Sequence, residues 1–118
     1  MRVAGFGFRA GADVAALRAA LAAVRGTDLA ALASVKADVA LQALAAEMGL
    51  PLIAVSAEVL AGIVTITQSP RMLARFGTGS VAEAAALYVA GPGATLLGPR
   101  AASACGQAVA AIAERSEA

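Results

Sequence analysis

With 118 residues, a net charge of +1, no histidine and a single cysteine, the chain predicts one domain with no general pull toward nucleic acid. The lack of histidine excludes Ser-His-Asp and Cys-His triads and His-ligated metals, and lone Cys105 excludes an internal disulfide or a cysteine metal cluster. Mean hydropathy is high at +0.80, but alanine supplies most of it, and no window of about 18 residues lacks charges or Gly/Pro breaks, so a soluble, cytoplasmic protein is expected.

Val3 to Phe8 reads as a short apolar strand bounded by glycine. The run Gly5-Phe6-Gly7-Phe8-Arg9-Ala10-Gly11 carries it into a turn. Its Gly-x-Gly spacing lacks the third glycine of a dinucleotide fingerprint, because position 10 is alanine. A strand-to-helix turn with close backbone approach is the reading that remains. Asp13 to Val24 is a helix with Val14, Leu17, Leu21 and Val24 on one face, closed by Arg25 and Gly26. Leu29 to Val35 is a second strand. Asp38 caps a second helix through Val39, Leu41, Leu44, Ala45 and Met48, which Gly49 ends. Pro51 to Val55 is a third strand, Ser56 caps a helical turn from Ala57 to Leu60, and Gly62 to Gln68 is irregular. Ser69-Pro70 opens a short helix to about Arg75 with proline at its first position.

Gly77-Thr78-Gly79 then leads into Ser80-Val81-Ala82-Glu83, the spacing of a capping box, and predicts a helix from Ser80 to Ala90. Two readings of this start are open. It is a capped helix after a flexible turn, or an anion site in which the first-turn N–H groups and glycine backbone face a ligand. Arg71 and Arg75 lie just upstream. Gly91-Pro92-Gly93 stops the helix and Ala94 to Leu97 is a fourth strand. Gln107 to Ala113 is open between strand and helix, since alanine erases periodicity.

Strands alternating with helices predict a largely parallel sheet covered on both faces, with ligands at the carboxyl ends of its strands. The chain offers four polar segments, Gly5 to Arg9, Ser34 to Lys36, Ser69 to Arg71 and Gly77 to Ser80, which the topology is expected to bring together there. Together they predict a cationic, glycine-lined pocket for an anionic ligand, with Gly5, Gly7, Arg9, Lys36, Ser69, Arg71, Gly77, Thr78, Gly79 and Ser80 as candidate binding residues. Lys36 is the one lysine among nine cations. Without histidine, Lys36 and Glu83 are the weak candidates for acid or base work, and capping accounts for Glu83 equally. Tyr88 is expected to face the core. Cys105 reads as a small buried residue or a reactive thiol.

The ordered run of Gly5-Phe6-Gly7-Phe8-Arg9-Ala10-Gly11, lone Lys36, Leu50-Pro51-Leu52, Thr67-Gln68-Ser69-Pro70-Arg71 and Gly77-Thr78-Gly79-Ser80-Val81-Ala82-Glu83-Ala84-Ala85-Ala86-Leu87 resembles the CobE / CbiG C-terminal domain family of cobalamin (vitamin B12) biosynthesis. The resemblance covers residues 2 to 113 and implies a single three-layer α/β/α domain over residues 1–118. It implies a small, mostly parallel, mixed sheet of about five strands, with Gln107 to Ala113 as the last. In longer members this domain is the C-terminal part of the cobalt-precorrin-5A hydrolase, which opens a lactone and releases acetaldehyde; in the aerobic pathway it stands alone, and this chain resembles that form. Family positions fall on Gly5, Gly7, Arg9, Lys36, Ser69, Gly77, Gly79, Ser80 and Glu83. Many members carry an acidic residue where this chain has Val35, and a lysine near Arg100.

What the resemblance implies is a pathway protein that binds a polycarboxylate corrinoid or precorrin, with Phe6, Phe8 and Leu52 facing the ring or packing in the core. An enzyme acting on the macrocycle and a docking domain for other biosynthetic enzymes are the alternatives. No cofactor, metal, nucleic acid or membrane is expected, and a homodimer is compatible with the modest charge.

Overall fold

The structure is a computed structural model and describes residues 1–36 and 38–116. Strand β1 (Arg2–Phe8) leads through helix α1 (Val14–Val24) to β2 (Leu29–Ser34), and through α2 (Val39–Met48) to β3 (Leu52–Ala54). These are two right-sized crossovers, so β1, β2 and β3 pair in parallel. A short 3-10 turn at Ala57–Leu60, α3 (Pro70–Phe76) and α4 (Val81–Ala90) follow. The chain then returns in β4 (Thr95–Leu96), β5 (Ala101–Ala102) and β6 (Ala108–Glu114), all antiparallel to their neighbours.

The sheet order is β3-β2-β1-β6-β4, with β5 also on β6. Helices on both faces make the three layers anticipated from the resemblance. Parallel pairing is confined to β1, β2 and β3. Six strands appear where about five were expected, because the strand outside β6 is broken into β4 and β5. Pro99, which has no N–H to offer a ladder, lies in the break. Residues 108–114 form a strand, as the resemblance implied.

Two apolar clusters flank the sheet. Ala4, Phe6, Leu32, Ala110 and Ile112 face α1 and α2, where they meet Leu17, Ala20, Leu41 and Leu44. Val3, Ala33 and Ala113 face the other way, toward Ala84, Ala85, Ala86 and Ala90 of α4. Along β1 the alternation is strict, so Gly5 and Gly7 point at α4. A Cβ on Gly5 would lie 2.0 Å from the Ala82 carbonyl oxygen and 2.7 Å from the Ala86 nitrogen. Glycine there admits a helix backbone rather than making a turn.

Helix ends follow local chemistry. Asp13 and Asp38 cap α1 and α2 by accepting from the N–H groups of Ala16 and Ala40. Gly49 closes α2 at φ 68°, while α1 is closed by Arg25 at φ 54°. Ser56 stands before the 3-10 turn without a side-chain cap. Two expectations of burial change: Tyr88 is 50% exposed, and Cys105 is exposed in the turn between β5 and β6; Val39 and Met48 of α2 are exposed as well. Val39 opens α2 at an end that overhangs the core, and Met48 lies on its final turn.

Candidate functional site

The carboxyl ends of β1 and β2 open into a cavity of about 500 Å³, within the range of small-molecule sites. Phe6, Gly7 and Phe8 of β1 and Ser34 and Val35 of β2 line its inner part. The Ser34 hydroxyl donates to the Phe6 carbonyl at 3.1 Å and accepts from the Lys36 N–H, which pins the two strand ends together. The start of β6, with Ala108 and Val109, adds a third wall because β6 runs antiparallel and begins at this end. The first residues of α4, Val81 and Ala82, close the floor. Met72 and Phe76 of α3 form an apolar flank.

Five cations line this space: Arg9, Lys36, Arg71, Arg75 and Arg100. Among the described residues no aspartate or glutamate lines it. Among the described residues the ion pairs are Arg2–Glu114 and Arg18–Glu47, so none of the five is neutralised by a carboxylate. Lys36 is folded inward: its Nζ donates to the Phe8 carbonyl at 3.0 Å and lies 5.5 Å from the Phe8 ring centroid. Arg75 lies over the Phe76 ring at 5.2 Å. Such cation–ring contacts are worth about 0.5–1 kcal/mol at exposed sites and orient the charge more than they bury it.

Glu83 stands behind this cavity with 0% exposure. The Ser80 hydroxyl accepts from the Glu83 N–H at 3.2 Å, which is the forward half of a capping box. The return half is absent. Instead Oε1 accepts from the N–H groups of Ile66 and Thr67 at 2.8 and 3.0 Å, and Oε2 from that of Arg100 at 3.0 Å. Burial pushes the carboxyl up. Hydrogen bonds from the Thr67 hydroxyl and from the N–H groups of Thr67, Arg100 and Ile66 outweigh it and hold the group below its ordinary value. Glu83 is thus an ionised acceptor that ties chain segments and does not line the cavity.

The segment before α4 is packed rather than open. Gly77 ends α3 at φ 74° and is exposed, but Thr78, Gly79 and Ser80 are buried. The Thr78 hydroxyl donates to the Ile63 carbonyl, and a Cβ on Gly79 would lie 2.2 Å from the Thr67 carbonyl oxygen. The cavity therefore gathers Gly7, Arg9, Lys36, Ser69 and Arg71 of the sequence candidates, while Gly5, Gly77, Thr78, Gly79 and Ser80 lie outside its lining. Phe6 and Phe8 line it and Leu52 does not; Leu52 packs on the α1/α2 cluster. Val35, in the place of the acidic residue of many family members, leaves Lys36 without a carboxylate neighbour there. Arg75 and Arg100 join the lining without having been among the sequence candidates. A clue to Arg75 was its spacing of four from Arg71 on one helix, which puts both on one face. Cys105 lies near the rim, its sulfur 3.3 Å from the Ser103 hydroxyl; that contact and the Gln107 N–H hold the thiol below its ordinary value.

No group of three or more metal-ligating side chains converges among the described residues. No helix among them is long and apolar enough to cross a membrane. No curated protein sequence matches the chain. Solved structures resemble it, two of them as follows. One is CobE, a protein from the cobalamin (vitamin B12) biosynthetic pathway, with 32% identity over 98% of this chain and 91% of that one and a TM-score of 0.83. The other is the cobalamin biosynthesis protein chiG from Agrobacterium tumefaciens, with 36% identity over 99% of this chain and all of that one and a TM-score of 0.76. The family model described as cobalamin synthesis G C-terminus matches residues 2–113. With that match over nearly all of its length, the chain belongs to the CobE/CbiG C-terminal family of cobalamin biosynthesis.

Proposed function

We propose that the protein binds a polycarboxylate corrinoid or precorrin intermediate in the cavity between β1, β2, α3 and the start of α4. The observation that carries this reading is the set of five cations, with no lining carboxylate among the described residues, around a space whose apolar walls include half-buried Phe8 and Phe76. Corrinoid precursors present an apolar ring edged by acetate and propionate arms. Aromatic and aliphatic side chains suit the ring. Guanidinium forks and an ammonium suit the carboxylates through charge-assisted hydrogen bonds. Val81 and Ala82 add the positive end of α4 to the same space.

The reaction inventory is thin. Glu83 is turned away and held ionised, so it gives no proton to a cavity ligand. Lys36 is engaged with the Phe8 carbonyl. Binding and handling of an intermediate is therefore favoured over turnover.

An absorbance titration with hydrogenobyrinic acid tests this. A saturable spectral shift is expected, weakening with added salt as exposed charge pairs are screened. Lys36→Ala is expected to weaken it by about tenfold, the worth of one hydrogen bond to a charged group. A new spectrum developing with time would mean turnover. No shift at any concentration would sink the reading.

A further inference from the structure

Three of the five cavity cations hang from chain that one buried carboxylate holds. Oε1 of Glu83 takes the N–H groups of Ile66 and Thr67, immediately before Ser69 and the helix that carries Arg71 and Arg75. Oε2 takes the N–H of Arg100 itself, in the break between β4 and β5. The first segment is also tied to the chain before α4 by the Ser69 N–H, which donates to the Gly79 carbonyl at 3.0 Å, so the carboxylate adds to that anchor rather than replacing it. Helix α3 has no fully buried residue and rests on the α4 cluster only through half-buried Met72 and Phe76, so its ends share in fixing its position. The Arg100 N–H falls where the ladder with β6 is interrupted, beside Pro99. Helix α4, by contrast, is fixed on the sheet at Gly5 and is buried from Val81 to Ala86.

We propose that Glu83 is a positioning residue for anion recognition: from the fixed start of α4 it sets the spacing between Arg100 on one wall and Arg71 and Arg75 on the other. The inference rests on reading the cavity as a polycarboxylate site. Glu83 acts through these arginines and touches no ligand. One carboxylate with two oxygens suits the task because the tied groups are all N–H donors. An amide in its place keeps one acceptor and turns a donor toward donors. One wall is then released while the other is kept.

The test compares Glu83→Gln with Leu17→Ala, a core substitution on the opposite face. Titrations use hydrogenobyrinic acid and, as a ring-free polycarboxylate, citrate. Glu83→Gln is expected to raise Kd by about tenfold, the size of one charge-assisted contact, and to flatten its salt dependence. Leu17→Ala lowers Tm but leaves Kd and salt dependence as in the wild type. In an Arg100→Ala background the effect of Glu83→Gln shrinks, since the two act on one contact. An unchanged Kd and salt dependence in a folded Glu83→Gln protein overturns the proposal. Should that variant fail to fold, amide hydrogen exchange of the wild type decides. Slow exchange at Ile66, Thr67 and Arg100, slower still with bound probe, supports it, and loop-like exchange indifferent to the probe overturns it. Citrate binding without hydrogenobyrinic acid binding refutes the corrinoid reading alone, and the Glu83→Gln shift measured with citrate still decides this inference. A wild type that binds neither probe overturns both.

Discussion

The two faces of the sheet are built on different principles. Toward α1 and α2 the core is made of large side chains, with Phe6, Leu17, Leu32, Leu41, Leu44 and Ile112 interdigitating. Toward α4 the helix-to-sheet contact at its centre is made of backbone and methyl groups, Gly5 and Ala33 of the sheet against Ala82, Ala84, Ala85 and Ala86 of the helix, with Val3, Val55 and Leu60 filling the space around it. Large side chains keep a helix at a distance and tolerate rearrangement. Glycine against alanine brings main chain onto main chain and tolerates almost none. The consequence is positional. Only a helix lying this close to β1 puts Val81 and Ala82 on the floor of a cavity that Phe6, Gly7 and Phe8 also line.

The contrast breaks first at Gly5. Gly5→Ala would place a methyl group 2.0 Å from the Ala82 carbonyl oxygen, so α4 must lift. A loss above about 4 kcal/mol is expected in chemical denaturation, the range kept for severe core defects. Gly7→Ala sharpens the point within the same tripeptide. Its methyl group meets the Val109 Cγ2 side-chain atom at 3.3 Å and the Ala82 nitrogen no closer than 4.0 Å, so a shift of a few tenths of an ångström suffices and a cost of about 1 kcal/mol is expected. Equal losses at the two sites would show that α4 does not rest on Gly5. On the other face, Leu17→Ala leaves a cavity among side chains that can partly collapse, for about 3 kcal/mol, read from the denaturation midpoint.

Much of this architecture is legible in the chain. The helix starts at Asp13, Asp38, Ser69 and Ser80 are set by local capping chemistry, and each appears with its side-chain hydrogen bond. What local reasoning missed is tertiary. Gly5 and Gly7 announce close approach, but the sequence does not say that the approaching group is α4. Ser80 and Glu83 have capping-box spacing, yet three amides from distant segments take the carboxylate. A glutamate inside Val-Ala-Glu-Ala-Ala-Ala-Leu was the available signal, because a charge in so apolar a run requires partners. Alanine gives α4 no readable face, so the outward position of Tyr88 is not legible in the sequence. Of the cavity cations, Arg9, Lys36 and Arg71 are legible in the sequence. Arg100 reaches the cavity through the break in the edge strand; the resemblance marks a cation there, but local pattern does not show the break.

Glu83 sharpens the comparison by pH. Its folded carboxyl lies below its unfolded value, so the unfolded state binds the proton first as pH falls. The stabilisation is complete above the ordinary glutamate range and is lost as pH drops through the folded value. Tm measured from neutral to acid pH is expected to fall in that window, and Glu83→Gln is expected to flatten the fall. An acid limb of the same steepness in both proteins would assign it to other carboxylates.

The smallest difference lies in the caps of the two faces. Asp13 and Ser80 perform the same task, each accepting the N–H of the third residue on, at 2.9 and 3.2 Å. Geometry alone favours Asp13. Solvent reverses the order. Asp13 is exposed, so water replaces its carboxylate when it is removed, and Asp13→Ala is expected to cost about 0.5 kcal/mol. Ser80 is buried with the N–H it serves, and no water reaches the orphaned donor. Ser80→Ala is therefore expected to cost about 2 kcal/mol, at the top of the range for caps. Denaturation midpoints of the two variants decide it. A larger loss at Asp13 would mean that the start of α4 admits water, and that its packing against the preceding glycine segment is looser than the close contacts at Gly5 and Gly79 require.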